Sequence, residues 1–291
     1  MRSSNPAFAR SETFNGRTSA YPATGRSSGY SDPSTWSTGT PGQVGAGYGG
    51  GPSAPPTHTV DEPITIDSVV QKTAFTLGLL VASAAATWFL IGDVAGAENV
   101  DNLARASRLM IIGALIGFAL AMVNSFKRVV SPALVLAYSV AQGVAMGAIS
   151  KVFESAYDGV VVGALLGTVA AFAGTLTAYK VLDITVTPKF RRGVIAAMFG
   201  FVGLALLDLV LRFFGADFGF NGFGTLGLIT SVVGVVLGVL MLILDFDYVE
   251  KAIAARAPER ESWRAAFGLT VTIVWIYIEM LRILAILRGD D

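Results

Sequence analysis

Ile276-Tyr277-Ile278-Glu279-Met280-Leu281 places a carboxylate in the middle of an apolar run that extends over 265–287. Such a run matches the ~20 residues a helix needs to cross ~30 Å of hydrocarbon. It decides the fold class, because backbone N–H and C=O groups find no water in lipid and must be satisfied within the segment, as a helix satisfies them. It also raises the functional question. An acid at the centre of a bilayer costs ~2.5–3.5 kcal/mol even on mild insertion scales, and an ionisable group retained there points to ion or proton handling.

Working back from this run, six more apolar stretches appear, near 74–92, 109–124, 132–150, 159–178, 194–214 and 225–246. The second is short and is expected to begin earlier, around Leu103. The chain therefore reads as an all-α membrane protein, a bundle of seven transmembrane helices. Its composition agrees: 53% of the 291 residues are hydrophobic and only 14% charged, with a mean hydropathy of +0.61. A formal net charge of zero gives no reason to expect a nucleic-acid partner. Cysteine is absent, which excludes disulfides and thiolate metal sites. The single histidine, His58, lies before the first apolar run, so histidine relays and serine–histidine catalysis inside the membrane are excluded. No enzyme activity and no cofactor are expected.

Residues 1–66 are of a different character, rich in Gly, Ser, Thr and Pro, as in the run Gly45-Ala46-Gly47-Tyr48-Gly49-Gly50-Gly51. A segment of this kind cannot bury enough apolar surface to offset the entropy of ordering it, and it reads as a disordered tail. It has no apolar signal-peptide core. The domain division is thus 1–66, a tail, and 67–291, the membrane domain. Lys and Arg fall mostly on one side of the bundle. Lys72, Lys127, Arg128 and the cations of 180–192 and 251–264 share that side, while the other holds only Arg105, Arg108, Lys151 and Arg288. By the positive-inside rule the tail is cytoplasmic and the C-terminus lies outside a plasma membrane. Gly143 with Gly147, Gly163 with Gly167, and Gly234 with Gly238 have the four-residue spacing that lets helix backbones approach closely.

The remaining charges near the membrane interior are few. Asp245 and Asp247 close the sixth run in Leu240-Met241-Leu242-Ile243-Leu244-Asp245-Phe246-Asp247. They are about 200° apart on a helix, so one is expected to face the bundle, with Asp245 favoured, and the other to face the headgroups. If the turn to the seventh helix centres on residue 262, Asp245 and Glu279 lie at equal depth. An earlier turn separates them. Two carboxyl groups in contact would titrate as a coupled pair. A shared proton would hold the helices together, and its loss would leave oxygen ligands suited to Ca²⁺, making Asp245 and Glu279 the candidate ion site. Arg282, three residues on, could instead neutralise Glu279. Asp208 and Arg212 read as a structural i, i+4 pair, and Gln142 and Asn124 as interhelical hydrogen-bonding groups. Lys127 and Arg128 read as topology-setting cations, or else as a latch that reaches the acids of the last hairpin.

The segment Asp245-Phe246-Asp247-Tyr248-Val249-Glu250-Lys251-Ala252 and the motif Ile276-Tyr277-Ile278-Glu279, on seven apolar runs, resemble the Bax inhibitor family and its bacterial YccA-like branch. The opening Met1-Arg2-Ser3-Ser4-Asn5-Pro6 and Ala257-Pro258-Glu259-Arg260 look like the actinobacterial members with a long polar tail. The resemblance covers roughly 70–291. It implies a seven-helix bundle with the last helix surrounded by the other six. It also implies a pH-sensitive Ca²⁺ leak through an acid pair that Asp245 (or Asp247) and Glu279 match, and a basic latch that Lys127 or Arg128 matches approximately. Two departures stand out: Glu279 occupies a position where the resemblance leads one to expect Asp, and the segment between the acids is longer than in compact bacterial members.

Two functions are expected to compete. One is a passive, proton-gated cation leak with the bilayer, protons and Ca²⁺ as partners. The other is regulation of another membrane protein, such as a membrane-bound protease, through the tail.

Overall fold

The computed structural model describes residues 62–216 and 218–289; the tail expected over 1–66 lies outside these residues except for its last five. The described residues form seven long α-helices: α1 (Ile66–Ile91), α2 (Val100–Phe126), α3 (Pro132–Ala156), α4 (Val160–Val181), α5 (Pro188–Phe213), α6 (Thr225–Ala254) and α7 (Glu261–Gly289). All seven are long and apolar enough to cross a membrane. Each run predicted from hydropathy falls on one helix, but most helices continue beyond their run. The reason is local. Thr65 caps α1, its hydroxyl accepting from Ser68 N while Ser68 answers through its own side chain, so the helix starts eight residues before the apolar run. Thr187 caps α5 in the same way ahead of Pro188, and Pro132 opens α3.

Helix α7 is the most enclosed of the seven. Its backbone packs against α1, α3, α4 and α6, while α2 packs behind α3 and α5 behind α6. The last helix is thus central, though four helices close on it directly rather than six. α5 reaches it through side chains, Phe201 meeting Trp275 edge-on at 5.5 Å between centroids.

The glycine pairs explain how the helices come so close. A Cβ on Gly143 would fall 1.8 Å from Ser83 Oγ and 2.4 Å from the Leu80 carbonyl, and one on Gly147 would fall 2.3 Å from the Ala84 carbonyl, so this pair seats α3 on α1. Gly163 and Gly167 of α4 receive Leu284 and Met280 of α7. Gly234 and Gly238 of α6 receive Glu279 and Ile276. Lipid tails are as apolar as leucine, so contact of this kind, rather than the hydrophobic effect, holds helices together in a membrane.

The turn between α6 and α7 corrects the expected depth of the acids. α6 ends at Ala254 and α7 starts at Glu261, which centres the hairpin near residues 257–258 rather than 262. The turn is closed by Arg256 in a left-handed conformation (φ 49°) and by the segment just before α1. Ile64 N donates to the Ala257 carbonyl at 2.8 Å, and Glu259 N donates to the Glu62 carbonyl at 2.7 Å. Lys72 pairs with Glu259, donates to Ser262 Oγ at 2.6 Å and stands 5.1 Å from the Trp263 ring centroid. Ile64 is itself buried.

Gly147→Ala is expected to lower stability by about 1–3 kcal/mol, because its Cβ meets backbone that cannot turn aside. Gly174→Ala, with nothing within 4 Å, is expected to be neutral or to stabilise by up to ~1 kcal/mol. Thermal unfolding of the purified protein in detergent checks both, and equal losses would contradict the packing account.

Candidate functional site

The α6–α7 seam holds the acids at two depths. Asp245 is partly buried and accepts from the Thr272 hydroxyl, 2.7 Å from Oδ2. The seam is narrow there, since a Cβ on Gly268 would stand 3.3 Å from Asp245 Oδ1. Glu279 lies further along. Its carboxyl packs on Gly234, where a Cβ would come within 2.8 Å of the carboxyl carbon, and Ser231 lies beside it. Seven residues of α7 separate Thr272 from Glu279, about 10 Å along the helix axis. The pairing expected between Asp245 and Glu279 is therefore not formed, and the cause is the earlier hairpin centre. Among the described residues no group of three or more acids, histidines or cysteines is assembled to hold a metal. The expectation that these two acids jointly ligate Ca²⁺ fails on the same geometry.

Glu279 is 6% exposed, and its Oε2 has no hydrogen-bond partner. Arg282 approaches it, but at 3.7 Å from Nη1 to Oε2, beyond good hydrogen-bond length. The guanidinium is committed elsewhere. Nη2 lies 2.6 Å from the Phe220 carbonyl, 2.8 Å from Thr230 Oγ1 and 3.3 Å from the Gly227 carbonyl. Arg282 therefore ties α7 to the start of α6 and to the connection before it, and neutralises Glu279 only at a distance. Ser231 Oγ, Arg282 Nε and Asp208 Oδ1 are also buried without hydrogen-bond partners. Unpartnered polar atoms are costly in an apolar interior; the carboxylate and hydroxyl oxygens among them can accept, whereas the Arg282 Nε–H can only donate.

The other expected residues fall into supporting places. Asp208 is buried, pairs with Arg212 at 3.3 Å, and accepts from Asn221 Nδ2 at 2.9 Å and Asn221 N at 3.3 Å, which pins the α5–α6 connection. Asp247, the acid expected to point outward, is enclosed by protein. It is 5% exposed and bound by Arg191 of α5 at 3.0 Å and by Lys251 at 2.7 Å, a placement that those cations make tolerable. Lys127 and Arg128 are exposed, and the latch runs the other way. Arg264 of α7 donates to the Arg128 carbonyl at 2.6 Å and to the Lys127 carbonyl at 3.4 Å, so the α2–α3 turn is held through its backbone. Asn124 is buried with neither amide atom partnered, and the Gln142 carbonyl oxygen lies against Gly117.

Sequence reasoning passed over Thr272, Ser231, Arg191 and Arg264. A signal existed for the first, because Thr272 precedes Glu279 by two helical turns and so shares its face.

Arg282→Met is expected to destabilise by about 3–5 kcal/mol, since it strands two carbonyls and leaves Glu279 without a nearby cation. Glu279→Gln keeps the shape and removes the charge, with an expected cost within about 1 kcal/mol. Thermal unfolding in detergent compares them, and a Glu279→Gln loss as large as that of Arg282→Met would show that the 279–282 ion pair outweighs the carbonyl bonds.

Comparison with curated proteins gives no match. A family model described as Bax inhibitor 1 like matches residues 5–289, nearly the whole chain. With seven membrane-crossing helices and a central α7 bearing the Ile276–Glu279 motif, the chain belongs to the Bax inhibitor 1 like family of multi-pass membrane proteins.

Proposed function

We propose that this protein mediates a passive cation leak, with Ca²⁺ as the permeant ion, governed by the protonation of Glu279. The observation that carries this reading is a buried carboxylate with one unpartnered oxygen, in the seam of two membrane-crossing helices. Protonated, Glu279 is neutral and the seam stays closed around it. Ionised, it presents oxygen to a hard cation, and oxygen ligands suit Ca²⁺. The groups that bear on it are Arg282 on its own helix and Ser231 and Gly234 on α6, while Asp208 and Arg212 on α5 bear on Arg282. Helix α4 brings Gly163 and Gly167 and the apolar Val160 and Ala164 against this part of α7, with no charged group among them. Asp245, held by Thr272, forms a second station about 10 Å nearer the hairpin end. Two stations two helical turns apart allow an ion to enter and leave in steps, so direct pairing of the acids is not required. The role is non-enzymatic. The positive-inside bias supports a cytoplasmic hairpin end, with the C-terminus of α7 outside a plasma membrane.

Ca²⁺ influx into proteoliposomes from about pH 6 to about pH 8 tests this reading. Wild type is expected to conduct more as pH rises and Glu279 loses its proton. Glu279→Gln is expected to abolish that dependence, and Asp245→Asn to lower flux without abolishing it. Flux indistinguishable from empty liposomes at every pH would reject the leak.

A second reading, regulation of another membrane protein such as a membrane-bound protease, draws support from the contact of residues 62–64 with the α6–α7 turn, which links the chain's N-terminal part to the acid-bearing hairpin. Deleting residues 1–61 is then expected to abolish partner binding while leaving ion flux intact.

A further inference from the structure

Helices α1 and α4 do not meet, and between them lies a groove of about 540 Å³, floored by α3 and α7. This is within the ~300–1,000 Å³ typical of ligand pockets. Its floor is formed by the buried Met146, Val274 and Tyr277, its inner walls by the buried Leu80 of α1 and Thr168 of α4, and its rims by the exposed Val81 on α1 and Val162 and Leu165 on α4. All four helices that line it cross the membrane, so the groove opens sideways into hydrocarbon. Along its length it runs from the level of Ile273, near the middle of α7, to the α3–α4 turn.

The two ends differ. Toward mid-membrane the lining is aliphatic. From there toward the α3–α4 turn it gains polar groups: Ser150 and Tyr277 bond to one another at 2.6 Å, and Trp88 stands at the margin with Lys151 Nζ 4.8 Å from its ring centroid. Trp and Lys at a helix end mark the headgroup level. Glu154 also lines this end, but its two oxygens accept from Gly159 N at 2.8 Å and Val161 N at 2.9 Å, and its charge is spent on the start of α4. A second cation, Arg288, lies against the same turn, where a Cβ on Gly159 would stand 3.3 Å from its Nη1. The cationic character of this end therefore belongs to Lys151 and Arg288.

We propose that the groove is a binding site for one phospholipid of the adjoining leaflet, with an acyl chain between α1 and α4 and the headgroup phosphate at Lys151. The apolar floor takes the chain, and the cations select an anionic headgroup. The bound chain lies on the face of α7 that carries Tyr277, about 200° around the helix from Glu279, so its occupancy bears on α7 from the side opposite the buried acid.

Native mass spectrometry of the full-length protein in detergent, with phosphatidylglycerol or phosphatidylcholine added, tests the site. Wild type is expected to retain one phosphatidylglycerol in preference to phosphatidylcholine. Leu165→Trp, which fills the groove from its rim, is expected to weaken retention of both lipids about tenfold, and Lys151→Gln to weaken only phosphatidylglycerol. Thermal unfolding establishes that each variant is folded, and Val81→Trp, from the opposite rim, replaces Leu165→Trp if the latter is not. Retention unchanged by groove filling, or absent in wild type, overturns the proposal. Equal retention of the two lipids by wild type overturns the assignment of the phosphate to Lys151.

Discussion

Close backbone contact at small residues is the constraint on which the bundle depends. In lipid there is no hydrophobic gain from bringing one apolar helix to another, so association rests on van der Waals fit and on polar bonds between helices. Gly143 and Gly147 provide that fit between α3 and α1, Gly163 and Gly167 between α4 and α7, and Gly234 and Gly238 between α6 and α7. The last pair also decides the chemistry. Because Gly234 has no side chain, the Glu279 carboxyl can lie against the backbone of α6, where a Cβ would overlap it. The residue that allows the seam to close is the same residue that allows an acid to be shut inside it.

Around that acid the polar bonds are arranged to fix backbone rather than to neutralise charge. Arg282 is bonded to two carbonyls and a hydroxyl, and Asp208 to Asn221 and Arg212. Both hold the α5–α6 connection in place. Asp247, by contrast, has two cations of its own. Asp247, Asp245 and Glu279 thus have three environments: one satisfied by cations, one by a hydroxyl, and one left partly unsatisfied. Difference of environment is what gives otherwise similar carboxylates different roles.

The helices were legible in the sequence because hydrocarbon allows few alternatives to a helix for an apolar run of this length, and the small-residue pairs were legible because their spacing matches a helical turn. Helix ends were less so. Thr65 and Ser68 extend α1 by capping, a signal that hydropathy alone does not weigh. The depth of the acids was misjudged for a related reason. The run Ala257-Pro258-Glu259-Arg260 does break the helix, but the turn is set by Arg256 and by hydrogen bonds from residues 62–64, distant in sequence. A shift of a few residues in the turn changes the relative depth of two facing side chains by roughly twice the rise of those residues. The contact at the α2–α3 turn was hidden in the same manner: the Lys127-Arg128 pair was visible, but Arg264, which grips their carbonyls, offered no local pattern that tied it to them.

The two backbone hydrogen bonds between residues 62–64 and the α6–α7 turn make that turn a point of mechanical attachment. A pull on the chain from its N-terminal side reaches residue 62 and passes to the turn before it reaches α1. Tension there bears on α6 and α7 at once, at the end where the two helices are joined and nearest to Asp245. A seam held shut by glycine contacts has little give along its length, so a load at its joined end would be relieved by the helices sliding or parting. In engineering terms the segment is a strain-relief anchor on the hinge of a clasp, and cutting the chain at 61 or at 66 gives two different mechanical objects.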